Sequence, residues 1–337
     1  MDQDSAKQTK TRGSPALSGG HESCNTPVQE VTVGKRKSRT DDEGANREKK
    51  RRLDIKDTEL EVCQEVTVAE FEAKYQQQYM LGAGGCGSVF AGFRRKDYHP
   101  VAIKHIPKDQ VYCKHQDDTG REISIEVAVM MRLQEEKSGS VGASAPISLL
   151  DWYDLGQELI LVLERPVPAV DLYEYILANK GPLPEEEAKI ILRQLMKAAV
   201  HLQDNEIFHR DIKVENILIE TGSDVPRVRL IDFGLSCFTK QETLKGVFYG
   251  TRWHAPPEWR RSRQYSAGPT TVWQMGVVLF QTLHPGEPFK TSSFLKNLLP
   301  ISETLSEKCQ DFMRVCLTQD PKERPSLKQI QLHPWLN

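Results

Sequence analysis

His209-Arg210-Asp211-Ile212-Lys213-Val214-Glu215-Asn216 is the stretch on which the reading of this chain turns. It matches an HRDxxxxN pattern at every fixed position, and its polar members form a chemical set rather than a charge run. Asp211 suits a base that orients a hydroxyl and accepts its proton. Lys213 suits an ammonium that neutralises a migrating phosphoryl group, and Asn216 suits an oxygen donor to magnesium. After the short strand-like run Val228 to Ile231 comes Asp232-Phe233-Gly234. Alone, that tripeptide is an ordinary turn. Behind the octet it reads as a metal site, with Asp232 the principal ligand of a Mg2+ that bridges β- and γ-phosphates.

Upstream lies Gly82-Ala83-Gly84-Gly85-Cys86-Gly87-Ser88-Val89. Spaced glycines let backbone approach phosphate oxygens without Cβ obstruction. A GxGxxG by itself also fits a dinucleotide fold, but that loop opens into a helix, whereas here Ser88-Val89-Phe90 continues as a strand. No GxxxxGK[ST] occurs, which disfavours a Walker-type NTPase. The next strand, Val101-Ala102-Ile103-Lys104, ends on a lysine. A surface lysine is the plain alternative; with the glycine loop, the spacing fits a grip on the α- and β-phosphates of ATP. Its acidic partner is assigned to Glu126, with Glu122 second, because Glu126 sits among apolar residues. The run Ile123 to Leu133 is itself ambiguous, since its apolar positions fit both a strand and a helix face.

Around this centre, 337 residues with 38% hydrophobic and 27% charged residues describe an ordinary globular chain, and a net charge of −2 argues against global adhesion to nucleic acid or membrane. Seven cysteines without CxxC pairs, and an N-terminus without an apolar h-region, suit free thiols in a reducing compartment. Cys86 in the glycine loop reads as a small side chain more readily than as a reactive one. The apolar run Val272 to Leu283 is too short for a bilayer and is interrupted by Gln274 and Gln281. Residues 1–66 lack apolar periodicity and are expected to be disordered. Within them, two basic clusters between Lys35 and Arg52 suit a bipartite nuclear-import signal or, equally, a solvated charge run.

From Phe71 the texture changes. Tyr79 to Phe90, Val101 to Ile106, Ile147 to Trp152 and Leu159 to Leu163 read as strands. Beyond Pro168 the chain turns helical. Pro184 followed by Glu185, Glu186 and Glu187 starts a helix whose stripe is Ala188, Ile191, Leu192, Leu195, Ala198, Ala199 and Leu202. The fold class is α+β: a small antiparallel sheet with one helix (71–165), then a larger helical lobe (166–336), with ATP between them.

The stretches LGAGGCGSVFAG (81–92), PVAIKHIPKD (100–109), LVLERPVPAVDLYEYI (161–176), HRDIKVENILIE (209–220), LIDFG (230–234) and GTRWHAPPEW (250–259) carry a resemblance to the protein kinases. It covers about Phe71 to Leu336. More narrowly, Glu164-Arg165-Pro166-Val167-Pro168 resembles the hinge of the Pim family of serine/threonine kinases. The resemblance implies ATP and Mg2+ as cofactors and protein substrates, with Lys213 pointing to serine or threonine as acceptor. It places Leu81, Gly82, Gly84, Gly87, Val89, Ala102, Lys104, Leu163, Glu164 and Leu218 around the nucleotide, Leu163 as gatekeeper. Pro166 lacks an N–H and so withholds one adenine hydrogen bond, a loss of about 0.5–1.5 kcal/mol. Asp171, Glu174 and Glu215 correspond to acids that receive arginines N-terminal to the acceptor; the bland reading is solvated carboxylates, Asp171 capping a helix. Thr251 is placed to hydrogen-bond Asp211 and Lys213, and Glu258 to pair with Arg324.

Several positions depart from the Pim pattern. Val214 replaces an acid of the catalytic loop. Thr271 stands where most kinases, though not Pim members, carry an aspartate. In typical Pim kinases an activation-loop aspartate pairs with the catalytic-loop arginine, so the resemblance implies activity without loop phosphorylation. Here Val247 and Tyr249 fall where that loop carries acids, Arg210 has no evident anion, and either Glu242 or a phosphorylated Thr243 would supply it. The alternative function is a catalytically weak pseudokinase scaffold. No coiled-coil heptads appear, so a monomer is expected, cytoplasmic and, through the tail, nuclear.

Overall fold

In the computed structural model, the residues described are 68–337, apart from Cys86, Asp118, 136–138, 240–242 and 287. The expectations for the tail, its basic clusters, Cys86 and Glu242 lie outside them.

After a helical segment at 68–74 (α1), five strands form one antiparallel sheet in the order β1-β2-β3-β7-β6. They are β1 (Tyr75–Gly84), β2 (Gly87–Arg94), β3 (His99–Pro107), β6 (Leu149–Asp154) and β7 (Glu158–Glu164). The single strand expected over Tyr79 to Phe90 is two strands, because the chain turns back at the glycines. A Cβ on Gly87 would stand 2.1 Å from the His105 carbonyl oxygen, and its φ of +111° is closed to most side chains. Strand alternation then sorts the residues of β3. Val101 and Ile103 enter an outer core with Phe71, Tyr75, Ile160 and Val162. Ala102 and Lys104 take the other face, opposite Leu163 and Leu161.

The ambiguous segment contains both structures. Glu122–Ser124 (β5) pairs with Lys114–Gln116 (β4), and Ile125–Glu135 forms helix α2. Its apolar pattern is blurred because Ile125, Val127, Ala128, Val129, Met130 and Leu133 are all buried, leaving no polar stripe to set the period.

The second lobe is built on α5 (Glu185–Asp204) and α7 (Ala267–Leu283). Pro184 caps α5, three glutamates occupy its first turn, and the expected stripe is buried together with Met196. Helix α7 is buried on nearly every face, which is why Val272 to Leu283 is so apolar. Between the lobes β8 (Ala169–Asp171) pairs with β10 (Ile217–Glu220), itself paired with β11 (Arg227–Leu230). One hydrophobic cluster runs from Ile106 and α2 through α5 and α7 to Leu336. No described helix is long and apolar enough to cross a membrane.

Arg324 anchors the base of the second lobe. Its guanidinium meets both Glu258 carboxylate oxygens at 2.8 and 2.6 Å and donates to the carbonyls of Thr318 and Pro269. Both side chains are buried, so removing one leaves the other charged and unpaired. Arg324→Ala is expected to lower unfolding free energy by roughly 3–5 kcal/mol in urea titration; a loss within ~0.5 kcal/mol would mean that the pair behaves as a surface bridge.

Candidate active site

Lys104 is the point where the lobes meet chemically. Its Nζ lies 2.8 and 2.9 Å from the two Glu126 oxygens and 2.9 Å from Asp232 Oδ1. Strand alternation turns Lys104 inward, α2 supplies Glu126 from its first turn, and the turn after β11 supplies Asp232. Burial alone would push the ammonium's pKa down, but the two carboxylates outweigh it and raise it, so Lys104 stays charged. Asp232 feels the converse: burial raises its carboxyl pKa, yet Lys104 pulls it below its ordinary value. Of the two candidate partners for Lys104, Glu126 occupies the position; Glu122 instead pairs with Lys114 at the surface.

The catalytic-loop octet folds back on this cluster. Asp211 Oδ1 accepts from the Thr251 amide and hydroxyl, each at 2.7 Å, while Oδ2 lies 3.1 Å from Lys213 Nζ. Lys213 also reaches the Thr251 hydroxyl at 3.3 Å. Asn216 donates its amide to the Asp211 carbonyl at 2.8 Å, which leaves its side-chain oxygen for another partner. The Ile231 amide donates to the Asn216 carbonyl at 3.0 Å, tying the octet to the residue before Asp232. His209 makes a second tie. Nε2 donates to the Ile231 carbonyl, and Nδ1 accepts from the Asp211 amide. This arrangement requires a neutral ring, and burial pushes the His209 pKa down accordingly. Arg210 and Asp232 adopt φ of +70° and +64°, left-handed conformations uncommon for side-chain-bearing residues and held here by these ties.

The other expected residues take the following places. Val89 on β2, Ala102 on β3 and Leu218 on β10 are half-buried, Leu163 at the end of β7 is buried, and Leu81 is exposed. A Cβ on Gly82 or Gly84 would meet nothing within 4 Å, so the chain itself makes no demand for glycine there. Asp171 caps α4 (Leu172–Ala178), accepting from the Glu174 amide at 2.8 Å, while Glu174 and Glu215 are exposed. Val214 is wholly buried, so the side chain that stands for an acid there packs into the core. Thr271 donates to the Ala267 carbonyl at 2.8 Å within its own helix.

Three residues were not anticipated in these roles. Arg229 on β11 clamps the hinge, its guanidinium 2.8 and 2.6 Å from the Glu164 carboxylate and 3.0 Å from Glu220. Burial would raise the Glu164 pKa, but hydrogen bonds from Arg229 and Ser148 bring it down to about 2. In sequence, Arg-Val-Arg-Leu reads only as strand alternation. Gln274 donates to the Arg210 carbonyl at 2.5 Å; its one signal was a polar residue interrupting an apolar helix. His254, beside this region, is buried.

A two-lobed fold with a lysine, carboxylates and an amide gathered at the junction is that of an ATP-dependent protein kinase. The sequence profile of the protein kinase domain matches residues 75–336. Similar proteins include Serine/threonine-protein kinase pim-2 of Danio rerio, 35% identical over 292 residues, which are 85% of this chain and 93% of that protein. Serine/threonine-protein kinase prk-2 of Caenorhabditis elegans is 31% identical over 80% of this chain and 59% of its own length. Sperm motility kinase 2B of Mus musculus is 30% identical over 79% and 52%. The chain belongs to the protein kinase family, among the serine/threonine kinases of Pim type, and ATP is its phosphoryl donor.

Glu126→Gln keeps a hydrogen-bonding group but removes one of the two charges on Lys104. A charged hydrogen bond of about 1.5–3 kcal/mol implies a loss of roughly ten- to hundredfold in kcat/KM for ATP; unchanged kinetics would show that Asp232 alone suffices. His254 supplies a pH prediction. Burial, with a smaller contribution from Lys213, outweighs the pull of Asp211 and lowers its pKa from 6.5 to about 4. The stability from keeping it neutral is complete above about pH 6.5 and is lost as pH falls toward 4, by up to about 3 kcal/mol. Wild type should therefore lose more stability over this window than His254→Phe; equal losses would contradict it.

Proposed function

We propose that this kinase is catalytically active, that it uses Mg2+, and that it phosphorylates serine or threonine in segments bearing basic residues N-terminal to the acceptor. The observation that carries the proposal is the bridge from Lys104 to both Glu126 and Asp232, beside an Asp211 already oriented by Thr251 and Lys213. A scaffold without activity would have no use for this complete set. Lys104 grips the α- and β-phosphates, and the open space at Gly82 and Gly84 suits close approach of backbone amides to phosphate oxygens. Gly87 serves the turn instead.

The donors fit magnesium. An ionised Asp232 and the free side-chain oxygen of Asn216 are one carboxylate and one neutral oxygen, and Mg2+ takes such sparse protein sets together with substrate phosphates. Bound there, the ion would neutralise charge developing on the β- and γ-phosphates. Asp211 Oδ2 takes the proton of the acceptor hydroxyl, while Lys213 Nζ, 3.1 Å away, offsets the negative charge arriving on the transferred group. The Glu164 carbonyl accepts from the adenine amine; its side chain is committed to Arg229 and so holds the hinge.

For acceptor selection, Glu174 and Glu215 present exposed carboxylates, and Asp171 keeps one oxygen after capping α4. Long-range attraction to a basic peptide weakens with salt, because exposed charges are screened beyond about 10 Å at 0.1 M. The test is a peptide array with purified full-length protein, ATP and Mg2+, read beside Asp211→Asn. Arginine-rich serine and threonine peptides should be labelled best, with labelling reduced at least a thousandfold in the variant, in line with removal of a unit of the transfer machinery. No labelling by wild type would overturn the enzymatic reading. Labelling indifferent to arginine would overturn only the substrate preference.

A further inference from the structure

Arg210 is 8% exposed, and no carboxylate pairs with its guanidinium among the described residues. Nη1 donates to the Leu235 carbonyl at a long 3.3 Å, and Nε has no partner. A buried cation in that position needs compensation. Among the described residues, the ring of Tyr249 is turned toward it, its centroid 4.9 Å from Arg210 Cζ, with the Cys237 thiol a second neighbour. Guanidinium is weakly hydrated and planar, so an aromatic face accepts it with less desolvation loss than an ammonium would suffer.

The placement of Tyr249 matters more than the contact alone. Its neighbour Gly250, at φ +132°, brings its backbone so near the Arg210 carbonyl that an added Cβ would stand 2.6 Å from that oxygen. The next residue, Thr251, holds Asp211. Residues 249–251 thus grip the catalytic loop at two adjacent side chains. Behind them the segment is braced by rings: Phe248 lies 5.3 Å from Trp259 and 5.1 Å from Tyr265, and the Tyr265 hydroxyl lies 3.4 Å from the Val247 carbonyl oxygen. Thr243 sits apart from this contact, exposed on strand β13 (Thr243–Lys245), which pairs with Gln264–Ser266.

We propose that Tyr249 is a positioning residue whose ring stands in for the anion on Arg210 and holds Thr251 against Asp211, the means by which this chain would keep the independence from loop phosphorylation that its resemblance implies. The proposal rests on the catalytic reading above, so its test needs one readout of catalysis and one independent of it. Full-length wild type, Tyr249→Phe, Tyr249→Leu and Thr243→Ala are compared by steady-state kinetics and by the rate of tryptic cleavage at Arg252. Tyr249→Phe and Thr243→Ala should stay within about twofold of wild type. Tyr249→Leu, which keeps apolar bulk without a π face, should lose at least tenfold in kcat with little change in KM and be cut several-fold faster. Phenylalanine carrying successively more ring fluorines at position 249 keeps the shape while draining the face of charge; kcat should fall along the series, and this arm decides the matter if the leucine variant does not fold. A flat fluorine series, a fully active Tyr249→Leu, or an inactive Thr243→Ala would overturn the proposal. An inactive wild type whose Tyr249→Leu form is cut faster would leave the latch standing and remove the catalytic reading instead.

Discussion

The bridge from Lys104 to Glu126 and Asp232 is the constraint on which the rest of this structure depends. Three elements far apart in sequence each contribute one charge, with Lys104 and Glu126 buried and Asp232 half-buried beside them. None of the three charges is tolerable there alone. Once together, they fix the position of α2 against the five-stranded sheet and of the turn after β11 against both. An interaction that is expensive to break then serves as a statement about which arrangement of the lobes is competent to meet a nucleotide.

The second lobe solves a related problem by different means. Its catalytic loop carries one left-handed residue, Arg210, and the turn after β11 another, Asp232, and each is held by partners that belong to other elements. His209 is kept neutral and joins the loop to Ile231; Gln274 reaches out of an otherwise apolar helix to the Arg210 carbonyl; Thr251 closes on Asp211. Backbone strain of this kind persists only where the surroundings over-determine it. The loop is therefore preorganised by hydrogen bonds, by its own Lys213–Asp211 ion pair and by one cation–π contact, while further ion pairs lie at its borders: Lys104 above, Arg229 at the hinge and Arg324 below.

Much of the fold was legible beforehand because its signals were local. The stripe of α5, the acidic first turn after Pro184, and the alternation of β3 and β7 depend on periods that a single element expresses by itself. The octet at 209–216 and the tripeptide at 232–234 were legible for another reason: reactive groups at fixed spacing along one loop are adjacent in space whatever surrounds them. The break between β1 and β2 was missed because its marker, Gly87, answers to the His105 carbonyl on another strand. The split of Ile123 to Leu133 into a strand and a helix was ambiguous because α2 is buried on nearly every side.

By itself, the sequence determined the identity of the chemical groups, the class of fold and the order of the elements, since each rests on short-range pattern or on loop spacing. The sequence already preferred Glu126 to Glu122 as the partner of Lys104, from its apolar neighbours. Only the tertiary structure decided that Arg229 closes on the hinge, that Val214 turns into the core, and that the Tyr249 ring faces Arg210. These are choices among side chains separated by tens of residues. They are settled by burial and by which face of an element its neighbours leave open, and no local pattern encodes either.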